Sequence, residues 1–117
     1  MSNFNPEPNG ESKLDPKVKA AWVAALTSGK YRKAKWELRR TGLNGHHSYC
    51  CLGVLCNLGA KKAWGEDGQY DGKVCTLPEK IRRKVRLSPQ DQGTLMELND
   101  DHGWSLKQIG RWIDENL

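Results

Sequence analysis

The chain has 117 residues, of which 37% are hydrophobic and five are Trp, and a formal net charge of +5. That length makes one domain with a single modest core, and the composition is too apolar for a disordered chain. No apolar run reaches ~18 residues, the length of a membrane-crossing helix, and the opening "MSNFNPEPNGESKLD" lacks the basic and apolar regions of a secretory signal.

Residues 1–14, rich in Asn, Pro, Glu, Gly and Ser, are expected to form a flexible tail before one globular domain at 15–117. A helix should open at Asp15 as cap, with Pro16 in the first helical position. Val18, Trp22, Ala25 and Leu26 recur at helical spacing along it, and Gly29 should end it. In "KYRKAKWELRR" Ala34, Trp36 and Leu38 alternate with charged residues, which predicts a half-buried strand. "TGLNGHH" follows as a loop with Asn44-Gly45 as its turn.

A central helix of about three turns is expected over 49–58, with Ser48 as its cap. Cys51, Val54, Leu55 and Leu58 form its inward stripe, and Leu52 and Cys56 widen it. Gly53 costs about 1 kcal/mol relative to Ala inside a helix, so its presence predicts close approach of another element. Gly59 should end the helix. Asp71-Gly72 marks a two-residue hairpin turn, and Val74, Cys75 and Thr76 favour a strand. Three helices complete the chain. One is short and basic from Pro78, with Ile81 and Val85 inward. The next opens on Ser88-Pro89 and makes its apolar contacts through Leu95, Met96 and Leu98. The last carries a Ser105…Gln108 capping box and a stripe of Leu106, Ile109, Trp112, Ile113 and Leu117. The expected fold class is therefore α+β: a small single domain, mainly helical around the 49–58 segment, with a short hairpin or small sheet.

Charge is unevenly spread. Residues 15–89 carry 16 basic and 6 acidic side chains, and residues 90–117 carry two basic and six acidic ones. A positive middle attracts nucleic acid, nucleotides or acidic proteins. It also serves as an ordinary solubilising surface.

The stretch "HHSYCCLGVLC", His46 to Cys56, raises the question of chemistry. A structural zinc site needs paired ligands such as C-x₂₋₄-C; Cys51 and Cys56, five apart, diverge around a helix, so no metal is expected. Adjacent Cys50 and Cys51 do not favour a disulfide framework, and the thiols read as reduced and packed. A Cys51 nucleophile at a helix start is conceivable, as "CLGVL" superficially resembles the start of the catalytic helix of papain-like peptidoglycan hydrolases. Its base would have to be His102, which falls in a predicted turn between helices rather than on a strand, and no orienting Asn or Asp follows at a recognisable place. No Gly-rich phosphate loop is present, so no cofactor is expected.

Two binding readings remain. A phosphate-bearing ligand could be held by Lys35, Arg39, Arg40 and His47, with Trp36 or Tyr49 stacking on a base. A nucleic acid could use two basic clusters, Lys30, Arg32, Lys33, Lys35, Arg39 and Arg40 in the first and Lys80, Arg82, Arg83, Lys84 and Arg86 in the second. The bland reading puts Trp22, Trp36 and Trp112 in the core and the arginines in solvent.

"WVAALTSGKY" at 22–31, "YCCLGVLC" at 49–56, Leu77-Pro78 and "LNDDHGWSLKQIGRWI" at 98–113 together resemble a group of small proteins encoded by tailed bacteriophages and prophages. The resemblance runs from about residue 18 to the C-terminus, and the Tyr-Cys-Cys-Leu-Gly-Val-Leu-Cys string is its specific part. It implies a protein made in the cytoplasm of a bacterial host, without implying a mechanism. The expected function is a non-enzymatic accessory protein that binds a host protein or an anionic, nucleotide-like ligand in host takeover or anti-defence. Nucleic-acid binding and a Cys51-dependent hydrolase are the alternatives. No membrane partner is expected.

Overall fold

A computed structural model describes residues 5–8 and 12–117. The described elements are α1 (Pro16–Thr27), β1 (Arg39–Thr41), β2 (His47–Tyr49), α2 (Cys51–Asn57), a single 3₁₀ turn (Lys61–Ala63), α3 (Glu79–Val85), α4 (Pro89–Asp100) and α5 (Leu106–Asn116). This is a small α+β domain. Its sheet is one antiparallel pair, with Arg39 opposite Tyr49, Arg40 opposite Ser48 and Thr41 opposite His47.

The helices begin where local chemistry directs. The Asp15 carboxylate accepts from the backbone N–H of Lys17 at 2.8 Å, with Pro16 next in line. Ser88 accepts from the Asp91 N–H at 3.0 Å. Ser105 and Gln108 form the reciprocal box, each side chain accepting from the other's backbone N–H. Each cap satisfies donors that the first helical turn leaves orphaned. Trp22 and Leu26 of α1 are buried, as are Leu95 and Leu98 of α4 and Leu106, Ile109, Trp112 and Ile113 of α5. Asp71 (φ 48°) and Gly72 (φ 83°) are both left-handed, and Tyr70 and Lys73 exchange backbone hydrogen bonds across them. That is the expected two-residue turn.

Some local expectations fail. The period-two stretch is no strand over 34–38. Ala34 and Leu38 are buried as expected, but Trp36 has φ 70° and is 60% exposed. One left-handed residue turns the middle side chain away from its neighbours. The Trp36 conformation is held by its N–H donating to Asp100 at 2.9 Å. Ser48 does not cap α2: it lies in β2, and Cys50 takes the cap, its sulfur accepting from the Gly53 N–H at 3.4 Å. Val74, Cys75 and Thr76 form bends rather than a strand; the Val74 carbonyl accepts from Leu38 N–H at 2.7 Å.

Helix α2 is the centre of the molecule, with every residue from Cys51 to Cys56 buried. At Gly53 a Cβ would overlap the Leu38 carbonyl oxygen and lie 2.7 Å from its carbon. The glycine therefore admits the segment entering β1 against the helix face. Leu58, the last member of the expected inward stripe, is 44% exposed.

The expected tail falls partly outside the described residues, at 1–4 and 9–11. Of the rest, Leu14 is buried, Lys13 N–H donates to the Arg86 carbonyl, and the Pro6 carbonyl accepts from the Trp112 indole at 3.0 Å. No helix among the described residues is long and apolar enough to cross a membrane.

Candidate functional site

The sulfur-rich segment is placed by the β2–α2 junction. Cys51 is fully buried, and its N–H donates to the Asn99 side chain at 3.1 Å. Its thiol points to the Leu95 carbonyl at 3.7 Å, and its carbonyl accepts from the Trp22 indole at 2.9 Å. Asn99, itself buried, also donates to the Ala34 carbonyl at 2.9 Å. One amide thus ties α2, α4 and the segment before β1 together. Sequence patterning gives no signal for such a hub, because Asn is usually a surface or cap residue.

Burial pushes the Cys50 and Cys56 thiols up to about 12 and the Cys51 thiol well above its ordinary value. A reactive cysteine needs the opposite, an electropositive and partly open setting. His46 and His47 stand exposed on the hairpin, and His47 shares a 2.8 Å hydrogen bond with the Thr41 hydroxyl. All four cysteines are unpaired. Among the described residues, no three His, Cys, Asp or Glu side chains come together in a way that could hold a metal ion.

The six residues expected to hold a phosphate-bearing ligand are split by the fold. Arg39 stands opposite Tyr49 in the sheet and the His47 ring meets Tyr49, whereas Trp36 and Arg40 have other neighbours and Lys35 is exposed. The Arg39 guanidinium lies 4.5 Å over the Trp64 ring and donates to the Gly65 carbonyl at 3.2 Å. Its Nε is buried without a partner. Tyr49 meets Tyr31, Trp64 and His47 edge-on at 5.2, 6.0 and 6.3 Å between ring centres. Burial raises the Tyr49 hydroxyl above its ordinary value, against the opposing pull of Arg39. Asn57 links the layer by donating to the Tyr31 hydroxyl and accepting from the Trp64 indole. Arg39 and Tyr49 are thus committed to an internal cation–π and edge-stacked layer. Trp36 instead borders a shallow recess with Met96 and Glu97 on α4, and exposed Arg40 faces Glu37 at 3.9 Å. Burial, with Lys35 nearby, lowers the Lys33 ammonium from its ordinary value.

The two basic clusters lie apart. The end of α3 is hydrogen-bonded to the start of α1, through Lys13 to Arg86 and Asp15 to Val85. Lys30, Arg32 and Lys33 follow the other end of α1, whose 12 residues span about 18 Å. Within the second cluster, Arg82 donates to the Leu87 carbonyl at 2.8 Å, and both Arg82 and Arg83 pair with Glu79. Lys80, Lys84 and Arg86 are exposed.

One concavity was not foreseen. A groove of about 450 Å³ lies between α1, the end of α2 and α3. Val18 and Ala21 form one wall, Ile81 and Val85 the other, and Leu55 and Leu58 the α2 side. Tyr70 borders it, and Lys17 and Lys84 are the charged side chains on its rim. The signal was present in Leu58 and Ile81, both assigned to the core. Periodicity reports which face of a helix is apolar but not whether anything covers that face.

No curated protein and no solved structure matches this chain. A protein-family profile matches residues 14–87, a span that contains every residue of the groove and stops short of α4 and α5. That match covers well over half of the molecule, and the chain belongs to the DUF8296 family, a domain of unknown function.

Proposed function

We propose that this protein is a non-enzymatic accessory protein of the bacteriophage type, acting in the bacterial host cytoplasm by binding a host factor or an anionic ligand in host takeover or anti-defence. The observation that carries the reading is the groove: apolar walls, lysines as its only charged side chains among the described residues, and a described lining that lies wholly within the family-matched span. Concave, mostly apolar sites with a few placed polar groups are the usual form of a ligand site. The buried, proton-retaining Cys51 speaks against the hydrolase alternative. The separated basic clusters, partly spent on Glu79 and Leu87, speak against a continuous nucleic-acid face.

Ala21 is exposed on α1 and lines the groove, so Ala21→Phe fills it without touching the core. Tagged wild-type and Ala21→Phe proteins incubated with bacterial lysate should differ, the variant losing a protein or small molecule that the wild type retains. Equal recovery by both would remove the groove from the function. Recovery of nucleic acid alone, lost as salt rises, would favour the basic clusters instead.

A further inference from the structure

The groove has a polarity that narrows its ligand. On its α1 wall Lys17 stands nearest the helix start, with Ala21 one turn further in. On its α3 wall Lys84 stands in the last turn, with Ile81 deeper. The start of α1 and the end of α3 are hydrogen-bonded to each other. Both lysines therefore mark the same end of the groove, and the walls beyond them are apolar. Lys13 and Arg86 belong to the same junction, and the Asp15 carboxylate there is engaged by the Lys17 and Val18 N–H groups of the helix cap. A volume of about 450 Å³ falls within the range of clefts for small ligands, about 300–1,000 Å³.

Resting on the reading of the groove as the binding site, we infer that its ligand is an amphiphilic anion: one apolar chain lying along Ala21, Leu58 and Ile81, with a single carboxylate or phosphate head between Lys17 and Lys84. A nucleotide does not match, since its polar sugar and base would meet apolar walls and leave their hydrogen-bonding groups unpaired. A bilayer surface does not match either, because a recess of this size takes a single chain and the two basic clusters lie at opposite ends of α1.

Dodecanoate, used below its micelle-forming concentration, is the probe. Calorimetric titration should show saturable one-to-one binding, and amide shifts in NMR spectra should change around Val18, Ala21, Leu58 and Ile81. Shortening the chain to octanoate should weaken binding by about fourfold per CH₂ removed. Lys17→Ala combined with Lys84→Ala should weaken it by about tenfold or more, and Ala21→Phe should abolish it. Dodecyltrimethylammonium should bind far more weakly than dodecanoate. Circular dichroism and a thermal melt verify that each variant is folded, as its surface position leads one to expect.

The inference is overturned by no saturable dodecanoate binding, by equal binding of the cationic probe, by binding that Ala21→Phe leaves intact, or by binding only to vesicles of anionic phospholipid. If Ala21→Phe loses a lysate partner while dodecanoate does not bind the wild type, the groove keeps its role and only the ligand class falls.

Discussion

The residues that looked most reactive are the least available. Cys50, Cys51 and Cys56 are buried, whereas Cys75 is exposed, its thiol donating to the Trp36 carbonyl. A thiol-specific reagent at neutral pH should label Cys75 in the native protein and the other three only after unfolding; rapid native labelling of Cys51 would contradict the packing described. The same burial makes stability depend on pH at the alkaline end. The three thiols hold their protons more tightly when folded, with Cys50 and Cys56 raised from an ordinary 9.0 to about 12. Below pH 9 both states are protonated, and these groups exert no pH dependence. Between about 9 and 12 the unfolded chain binds fewer protons than the folded one, so stability falls as pH rises. Urea midpoints should hold steady from pH 7 to 8.5 and drop by pH 10.5. Cys→Ala variants at 50 and 56 should flatten that drop.

At the scale of elements, the outcome turns on where a signal is local. Asp15-Pro16, Ser88-Pro89, Ser105 with Gln108, and Asp71-Gly72 act within four residues of themselves, and each does what its chemistry implies. The stretch from Lys33 to Arg39 reads as a strand because its alternation is real: Ala34 and Leu38 do point inward. What breaks the strand is distant, the Asp100 carboxylate that receives the Trp36 N–H from 64 residues away. The Ser48 cap gives way for a similar reason, since pairing Arg40 with Ser48 draws that residue into β2. The close approach foreseen at Gly53 is met by Leu38. Gly53→Ala should improve intrinsic helix propensity yet destabilise the protein by about 1–3 kcal/mol, because the new methyl must displace buried backbone. A denaturation midpoint equal to or above wild type would show that α2 and the Leu38 segment do not pack as described.

For the molecule as a whole, the family-matched span and the rest are mechanically joined. Helix α5 packs along α1, and at Gly110 a Cβ would lie 2.9 Å from the Thr27 methyl and 3.0 Å from Leu26. Gly110→Ala should therefore destabilise the fold by about 1–3 kcal/mol, read as a lowered melting temperature. An unchanged one would mean that α5 sits farther from α1. With α4 packed against one side of α2, the groove on the α1–α3 side is left open. That arrangement makes a helix apolar over most of its circumference both the core and, at Leu55 and Leu58, part of a binding wall.

The starts of α1, α4 and α5, the tight turn, the α+β class and the burial of the sulfur-rich helix could be read along the chain, because caps, turns and apolar periodicity act over a few residues. The split of the expected ligand residues, the absorption of Arg39 and Tyr49 into an aromatic layer, the Asn99 hub and the lysine-rimmed groove came only with packing. Each depends on contacts that reach beyond a residue's neighbours in sequence, up to 65 positions in the Asn99 hub. A linear pattern records which faces are apolar or charged, but only the folded chain decides which of those faces meet and which remain open.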